Sequence, residues 1–310
     1  MNKFAKVKSL NIPNNKRVIC ISDIHGEIDL FKQLLDKVEF CDEDILILLG
    51  DIYTKGSRPH DTLKYCMELA KLQNVHILRG NADWGNDSYL NETEKLWINE
   101  LPDIIESDVY IFVHSGISSL NLKEQPPAKA KFNNFIETAP VFDKWVVVGH
   151  WPVALYCHEI PRNNPIIDHD KKIIAIDGGN VIKPEGQLNA FIIDFSGELS
   201  FTAVDKLPKY TILKSQAESG GSLSITMLDR FVEIIEENKG LCQVKHLKTG
   251  KVLIVPKSGI WEDKDGNVCI CDMATDYHLP CDVGDTVSIV EDFEDRIFAK
   301  IDGICGWIMK

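Results

Sequence analysis

At 310 residues, with 44% hydrophobic and 26% charged side chains, the chain is long enough for two hydrophobic cores. A net charge of −13 argues against a general binder of long nucleic acid, which needs a basic footprint. No apolar run approaches the ~20 residues of a membrane-spanning helix, so a membrane is not an expected partner either. The first residues, Met1 to Lys8, lead into no apolar core of the kind a secretory signal carries. Nine cysteines show no zinc-like pair spacing, Cys269 and Cys271 lying only two apart, and they read as reduced thiols of a cytoplasmic protein.

In chain order, the first predicted elements are short runs rich in valine and isoleucine at 18–21, 45–49, 75–78, 109–113 and 146–148. Such runs read as fully buried strands. Between them, Leu30, Leu34, Leu35 and Val38 follow helical spacing, as do Leu63, Met67 and Ala70 within 62–72. A third helix is expected over 91–101, around Leu96, Trp97 and Leu101. From residue 172 the pattern turns to strands, at 172–176, 190–195 and 199–204. Residues 208–222 are polar and end Glu218-Ser219-Gly220-Gly221-Ser222, which reads as a linker. Beyond it, strands are expected at 231–235, 241–246, 251–255, 268–271, 286–290, 296–301 and 306–309, with turn signals between them. The expected division is 1–207, linker 208–222, and an all-β domain over 223–310 that is separable and supplies no ligand.

Each of the five apolar runs delivers a polar side chain at its C-terminal end. The stretches are Asp23-Ile24-His25-Gly26, Gly50-Asp51, Gly80-Asn81, His114-Ser115-Gly116 and Gly149-His150. Such ends converge at one edge of a sheet, where loops place chemistry. The mixed oxygen and nitrogen set suits two divalent ions, manganese first, with iron or zinc as alternatives. Two ions ~3.5–4 Å apart can share a hydroxide and clamp a phosphate. Asp51 is the best bridging carboxylate, and Asn81 supplies oxygen without further charge. Taken singly, Asp51 reads equally as a turn former and His114 as a structural histidine.

In order and spacing, these motifs resemble the calcineurin-like metallophosphoesterases, among them phosphoprotein serine/threonine phosphatases and bacterial diadenosine tetraphosphate hydrolases. Ile176-Asp177-Gly178-Gly179 followed by Gln187-Leu188-Asn189-Ala190 is similar to the segment after the last metal histidine in the bacterial hydrolases. The resemblance covers roughly 17–205 and implies an α/β, four-layer αββα sandwich. It assigns Asp23, His25 and Asp51 to one metal, and Asp51, Asn81, His114 and His150 to the other. Ala274-Thr275-Asp276-Tyr277, Val283-Gly284-Asp285-Thr286-Val287 and Gly306-Trp307-Ile308 resemble a bacterial SH3-type barrel, whose Tyr277 and Trp307 could serve a peptide or glycan ligand or simply pack its core.

The chain also departs from the phosphatase pattern. The histidine that serves as acid after the asparagine ligand is replaced by Ala82, its aspartate partner by Thr54, and the neighbouring phosphate-binding arginine by Lys55. Losing a general acid typically costs ~10²–10⁴-fold, most for a poor leaving group. Activated esters, anhydrides and nucleotide-like substrates are therefore favoured over phosphoserine, with His60, His158 and His169 as unranked substitutes for the acid. Lys55, Arg58 and Arg79 are the cations nearest the motifs, each alternatively a solvated or structurally paired charge. Tyr53 and Trp84 could stack on a base or pack the loops. Asp83 and Asp177 are expected to orient histidine ligands from behind, Asp177 alternatively capping a turn.

The resulting expectation is a binuclear metal-dependent phosphoester hydrolase in which Asp51, Lys55 and Arg79 act on a phosphorylated protein, nucleotide or small ester. A dinucleoside polyphosphate or nucleotide pyrophosphohydrolase is the alternative. A metal-binding scaffold acting through its β domain is a second.

Overall fold

The computed structural model describes residues 4–85, 87–119, 121–127, 132–271 and 273–310. Its contacts divide the chain into two units. The first holds residues up to Pro152, then Pro165–Ile182 and Gly186–Asp205. The second holds Val153–Asn164, Lys183–Glu185 and Lys206–Lys310.

The first unit opens with Val7–Ser9 (β1), Val18–Ile21 (β2), Ile28–Lys37 (α1), Ile45–Leu48 (β3) and Pro59–Leu69 (α2). Val75–Ile77 (β4), Glu92–Glu100 (α3), Ile104–Glu106 (β5), Tyr110–Val113 (β6), Phe135–Thr138 (α4) and Trp145–Val148 (β7) follow. It closes with Ile166–Asp168 (β8), Ile173–Ala175 (β9), Leu188–Ile193 (β10) and Leu199–Val204 (β11). Two sheets result, ordered β11-β10-β2-β3-β4 and β1-β5-β6-β7-β9-β8. The strands β2, β3 and β4 run parallel in the first, and β6, β7 and β9 run parallel in the second.

Period-two alternation explains how these strands serve two cores at once. Val18 and Cys20 of β2, with Ile45 and Ile47 of β3, meet Phe112, Val147 and Ile174 from the other sheet. Ile19, Ile21, Leu46 and Leu48 point the opposite way, onto the helices. There α1 buries Leu30, Phe31, Leu34 and Leu35, each contributing roughly 1.5–3 kcal/mol. Proline at its first position starts α2. A capping box between Asn91 and Glu94 starts α3. Among the described residues, α4, four residues long, is the only α-helix after β6.

The second unit is built from short, mostly antiparallel strands: Lys209–Thr211 (β12), Ser224–Ile225 (β13), Val232–Asn238 (β14), Leu241–His246 (β15), Val252–Pro256 (β16) and Ile260–Glu262 (β17). Val268–Ile270 (β18), Ala274–Thr275 (β19), Thr286–Asp292 (β20), Arg296–Ile301 (β21) and Ile304–Met309 (β22) complete it. Its larger sheets are β12-β20-β21-β22 and β14-β15-β16.

Two expectations about division change. The segment 208–222 is not a free linker: Lys209–Thr211 pairs with Thr286–Ser288, and Gln216 exchanges backbone hydrogen bonds with Cys281. Nor is the second unit confined to residues after 222. Asn163 N–H donates to the Gly303 carbonyl, Cys305 N–H to that of Pro161, and Lys300 Nζ to that of Glu185.

All nine cysteines are free thiols. Among the described residues no helix is long and apolar enough to cross a membrane.

Candidate metal centre

Because β2, β3 and β4 are parallel, their C-terminal ends share one edge of the first sheet, and those of β6 and β7 share one edge of the second. The chain leaves these ends at Asp23, Asp51, Asn81, His114 and His150. One ligand atom each from Asp23, Asp51 and His114 lies within 4.8 Å of the others. Asn81 Oδ1 lies 2.9 Å from His114 Nε2, and Asp51 Oδ1 lies 3.4 Å from the same nitrogen. His25 Nε2 is 3.5 Å from Asp23 Oδ1. The backbone N–H of His150 donates to Asp23 Oδ2 at 2.9 Å, and its ring centroid is 5.2 Å from that of His114. All six residues proposed as ligands are thus neighbours.

The backbone at these positions is unusual. Asp23, His25, Asp51 and His150 have φ between 51° and 66°, and neighbouring Lys55 has φ 77°. Left-handed conformation in non-glycine residues costs on the order of 1–3 kcal/mol and persists where the surroundings enforce it. Two glycines show how tight those surroundings are. A Cβ on Gly80 would sit 2.1 Å from Asp51 Oδ1, and one on Gly149 would sit 2.5 Å from Asp23 Oδ2. Only glycine lets the backbone come so close to the carboxylates.

The donor atoms suit a cation on their own chemistry. His114 is fully buried, and its Nδ1–H donates to the Leu49 carbonyl at 2.8 Å. In the neutral ring this fixes the lone pair on Nε2, facing the oxygens of Asn81 and Asp51. Lone pairs so close repel unless a proton or a metal ion sits among them. Without metal, burial lowers the His114 pKa, but Asp51 and Asp23 outweigh it and hold the pKa raised. Burial lowers that of His25. Burial pushes the Asp51 carboxyl up, yet His114 and His25 bring it below its ordinary value. Asp83 is pushed up to about 7 by burial and then by the charge of Asp51. Asp177 is pushed well up by burial and then by Asp23. Divalent ions would also compensate the charge of such a cluster of buried carboxyls.

The other candidates take distinct places. Lys55 Nζ lies 3.4 Å from His25 Nε2 and 4.0 Å from Asp51 Oδ2, with 45% of its side chain exposed. Arg79 lies elsewhere: Nε and Nη2 donate to Asp103 Oδ1 at 3.2 and 2.8 Å, and its guanidinium covers Trp84 at 4.3 Å. Arg58 bridges Asp29 and Asp61 at the surface. The Tyr53 hydroxyl donates to Asp87, and its ring is buried.

Asp83 does not orient a histidine as expected. Its carboxylate accepts backbone N–H groups of Ile52 and Gly80, tying the second motif to the third. The N–H of Ala82 donates to Asp51 Oδ1 at 2.8 Å, and Thr54 Oγ1 is buried without a hydrogen-bond partner among the described residues. His60 is held by Glu94 at 2.7 Å, His169 packs on Trp145, and His158 belongs to the second unit.

Three contributors escaped the sequence reading. Ser22 donates to Asp23 Oδ2, Asn133 Oδ1 accepts from His150 Nε2 at 3.2 Å, and the Leu49 carbonyl anchors His114. Ser22, between a strand and a ligand, carried a usable signal. A backbone carbonyl and a distant loop asparagine carried none.

The family description "Calcineurin-like phosphoesterase" matches residues 16–182, more than half of the chain. An uncharacterized protein of Methanocaldococcus jannaschii is 25% identical over 201 residues, 56% of this chain and 79% of that one. A symmetrical bis(5'-nucleosyl)-tetraphosphatase of Vibrio campbellii is 26% identical over 121 residues, 32% of this chain and 44% of the enzyme. This chain therefore spans under half the length of the tetraphosphatase it matches. A protein serine/threonine phosphatase structure from Saccharomyces cerevisiae superposes with a TM-score of 0.47 at 13% identity, covering 66% of this chain and 85% of that one. The chain belongs to the calcineurin-like phosphoesterases, a family of hydrolases.

Proposed function

We propose that the chain is a binuclear metal-dependent phosphoester hydrolase selective for good leaving groups. The observation that carries the reading is the meeting of His114 Nε2, Asn81 Oδ1 and Asp51 Oδ1, 2.9 and 3.4 Å from that nitrogen, with Asp23 beside them. Asp23 and His25 would hold one ion, Asn81, His114 and His150 the other, and Asp51 would be shared. Two divalent ions bound there supply Lewis acidity and an activated water. The oxygen and nitrogen donor set favours manganese, with iron or zinc as alternatives.

The protein's own contributions follow from position. Asp51 directs Oδ1 toward His114 and Oδ2 toward Lys55, and it would be the carboxylate that both ions share. Lys55, half exposed beside the cluster, offers a point charge to an incoming phosphate. Arg79 keeps the loop between Asn81 and α3 in place through Asp103 and Trp84, and we assign it to positioning in place of the catalytic role the sequence suggested. Ala82 and Thr54 leave the departing oxygen without an acid at those positions. Phosphoanhydrides and aryl esters, which leave as weaker bases, are therefore the expected substrates. The tetraphosphatase names of several relatives favour a dinucleoside polyphosphate as the second reading. The complete ligand set weighs against a scaffold without turnover.

The finer architectural readings remain part of this proposal. The helices on the first sheet and the second sheet facing it support three layers of an αββα sandwich, and the hairpins of the second unit support an SH3-like module. Tyr277 and Trp307, buried to 3% and 4% exposure, favour core packing over a ligand groove. Nine free thiols support a cytoplasmic location.

The test is metal analysis joined to turnover of p-nitrophenyl phosphate, a dinucleoside polyphosphate and a phosphoserine peptide with manganese. Two ions per chain are expected, with the peptide turned over at least ~10²-fold more slowly. Asp51→Asn should lower turnover by roughly 10³-fold, about 4 kcal/mol. Equal turnover of all three substrates, or full activity in Asp51→Asn, would sink the reading.

A further inference from the structure

Of the strands β2, β3, β4, β6, β7 and β9, five supply a proposed metal ligand at their C-terminal ends. The sixth, β9, supplies Asp177, which lies two residues past Ala175. The register Val148↔Ala175, continued in parallel, brings Asp177 alongside His150 at the shared edge, and Ile176 N–H still donates to the Val148 carbonyl there. The turn that follows is latched onto the first motif, because Asn180 Nδ2 donates to the carbonyls of Asp23 and Ile24. Asp177 is only 1% exposed. Its Oδ1 accepts the Gly179 N–H at 2.8 Å, whereas its Oδ2, equally buried, accepts no hydrogen bond among the described residues.

A carboxylate oxygen in that position is costly unless something supplies a proton or a charge. Turn capping accounts for Oδ1 and leaves Oδ2 without a purpose. Orienting a histidine, the role expected from sequence, would require a ring N–H on Oδ2, and none reaches it.

We infer that Asp177 is a seventh residue of the centre, an outer-sphere carboxylate whose Oδ2 takes a hydrogen bond from the coordination shell of the ion held by Asp23 and His25. This rests on the binuclear reading above and extends it. The latch through Asn180 selects that ion over the one held by His114, since it fixes the Asp177 turn to the backbone of Asp23 itself. Each sheet then contributes from three parallel strand ends: Asp23, Asp51 and Asn81 from one, His114, His150 and Asp177 from the other. Asp177 is a positioning residue, acting on phosphate only through the ion.

The full-length chain, stripped of metal and titrated calorimetrically with manganese alone, tests this. Wild type should take up two ions. Asp177→Asn keeps an oxygen for the Gly179 N–H but loses the charge, and should weaken one of the two sites by ~10–100-fold while leaving the other unchanged. The metal-free variant should unfold in urea where metal-free wild type does. Asp177→Ala should weaken the same site by at least as much. Unchanged affinity at both sites in Asp177→Asn overturns the inference. So does equal weakening of both sites with a lowered urea midpoint, the mark of a purely structural residue. Uptake of fewer than two ions by wild type would instead count against the binuclear reading, whereas two tight sites in both proteins would remove Asp177 alone.

Discussion

The two units use the left-handed backbone for opposite reasons. In the second unit Lys239 and Asp302 have φ of 47° and 46°, each followed by a glycine of positive φ, and each pair joins adjacent antiparallel strands. A two-residue hairpin loop requires that conformation to match strand twist. In the first unit Asp23, Asp51 and His150 adopt it at the ends of parallel strands, where no hairpin calls for it. One set of residues closes turns, and the other gathers the proposed ligands. The sheets themselves differ in the same sense. Parallel strands send every C-terminal end to one edge, so residues far apart in sequence meet, whereas antiparallel strands alternate their ends and disperse side chains. Chemistry accordingly gathers in the first unit.

That contrast would break most visibly if the second unit were removed. Unit 2 includes Val153–Asn164, which lies between the last metal motif and β8. Deleting residues after Asp205 strips this segment, whose Val153, Leu155 and Cys157 are buried in the full chain, of its hydrogen bonds to Gly303 and Cys305. The cost is roughly 5 kcal/mol, comparable to the whole stability of a modest domain. A fragment of residues 1–205 should therefore unfold at markedly lower temperature than the full chain and lose turnover with its fold. A fragment that melts like the full chain and keeps its metals would restore the independent module expected from sequence.

Arg79 sharpens the boundary between binding phosphate and holding the fold. Its pair with Asp103 is buried, with side-chain exposures of 7% and 2%. Removing one partner of such a pair typically costs ~3–5 kcal/mol, because the other charge stays buried. Arg79→Met should lower stability by about that amount while the folded enzyme keeps its KM for a small phosphoester. Unchanged stability with a tenfold higher KM would return Arg79 to the phosphate.

The sequence made the catalytic edge legible for a physical reason. A buried parallel strand is a continuous apolar run, and a polar ligand after it stands out, as in 45–49 followed by Gly50-Asp51. The helices α1 and α2 were readable from their apolar spacing, whereas α3 formed where expected but leaves Leu96 exposed and buries Ile98; β15, β21 and β11 kept their expected limits. What stayed hidden was short or depended on distant partners. Lys209–Thr211 has three polar or amphipathic residues and becomes a strand only through residues 286–288. Segments 153–164 and 183–185 carry no local mark of the unit they join. At the centre itself, the proposed ligands stood out as residue types, while the Arg79–Asp103 pair and the backbone donors to Asp83 became visible only in three dimensions.

The smallest expected effect separates a histidine inside a strand from those at strand ends. His76 lies in the middle of β4 and accepts from Lys8 Nζ at Nδ1, 3.2 Å away. Burial, and then the charge of Lys8, lowers its pKa to about 4 from an ordinary 6.5. A depressed pKa means that the unfolded chain binds this proton first. The contribution of His76 to stability is therefore complete above pH 6.5 and is lost as pH falls from 6.5 through about 4. Because the ring is only partly buried, solvent screening makes the effect small. Measured on the metal-free protein, where loss of ligands cannot dominate, the difference in urea midpoint between wild type and His76→Gln should shift over that interval and stay constant above it. A difference that is flat from pH 7 to pH 4 would mean that His76 keeps its ordinary pKa in the fold, and that acid sensitivity resides in the strand-end carboxyls and histidines alone.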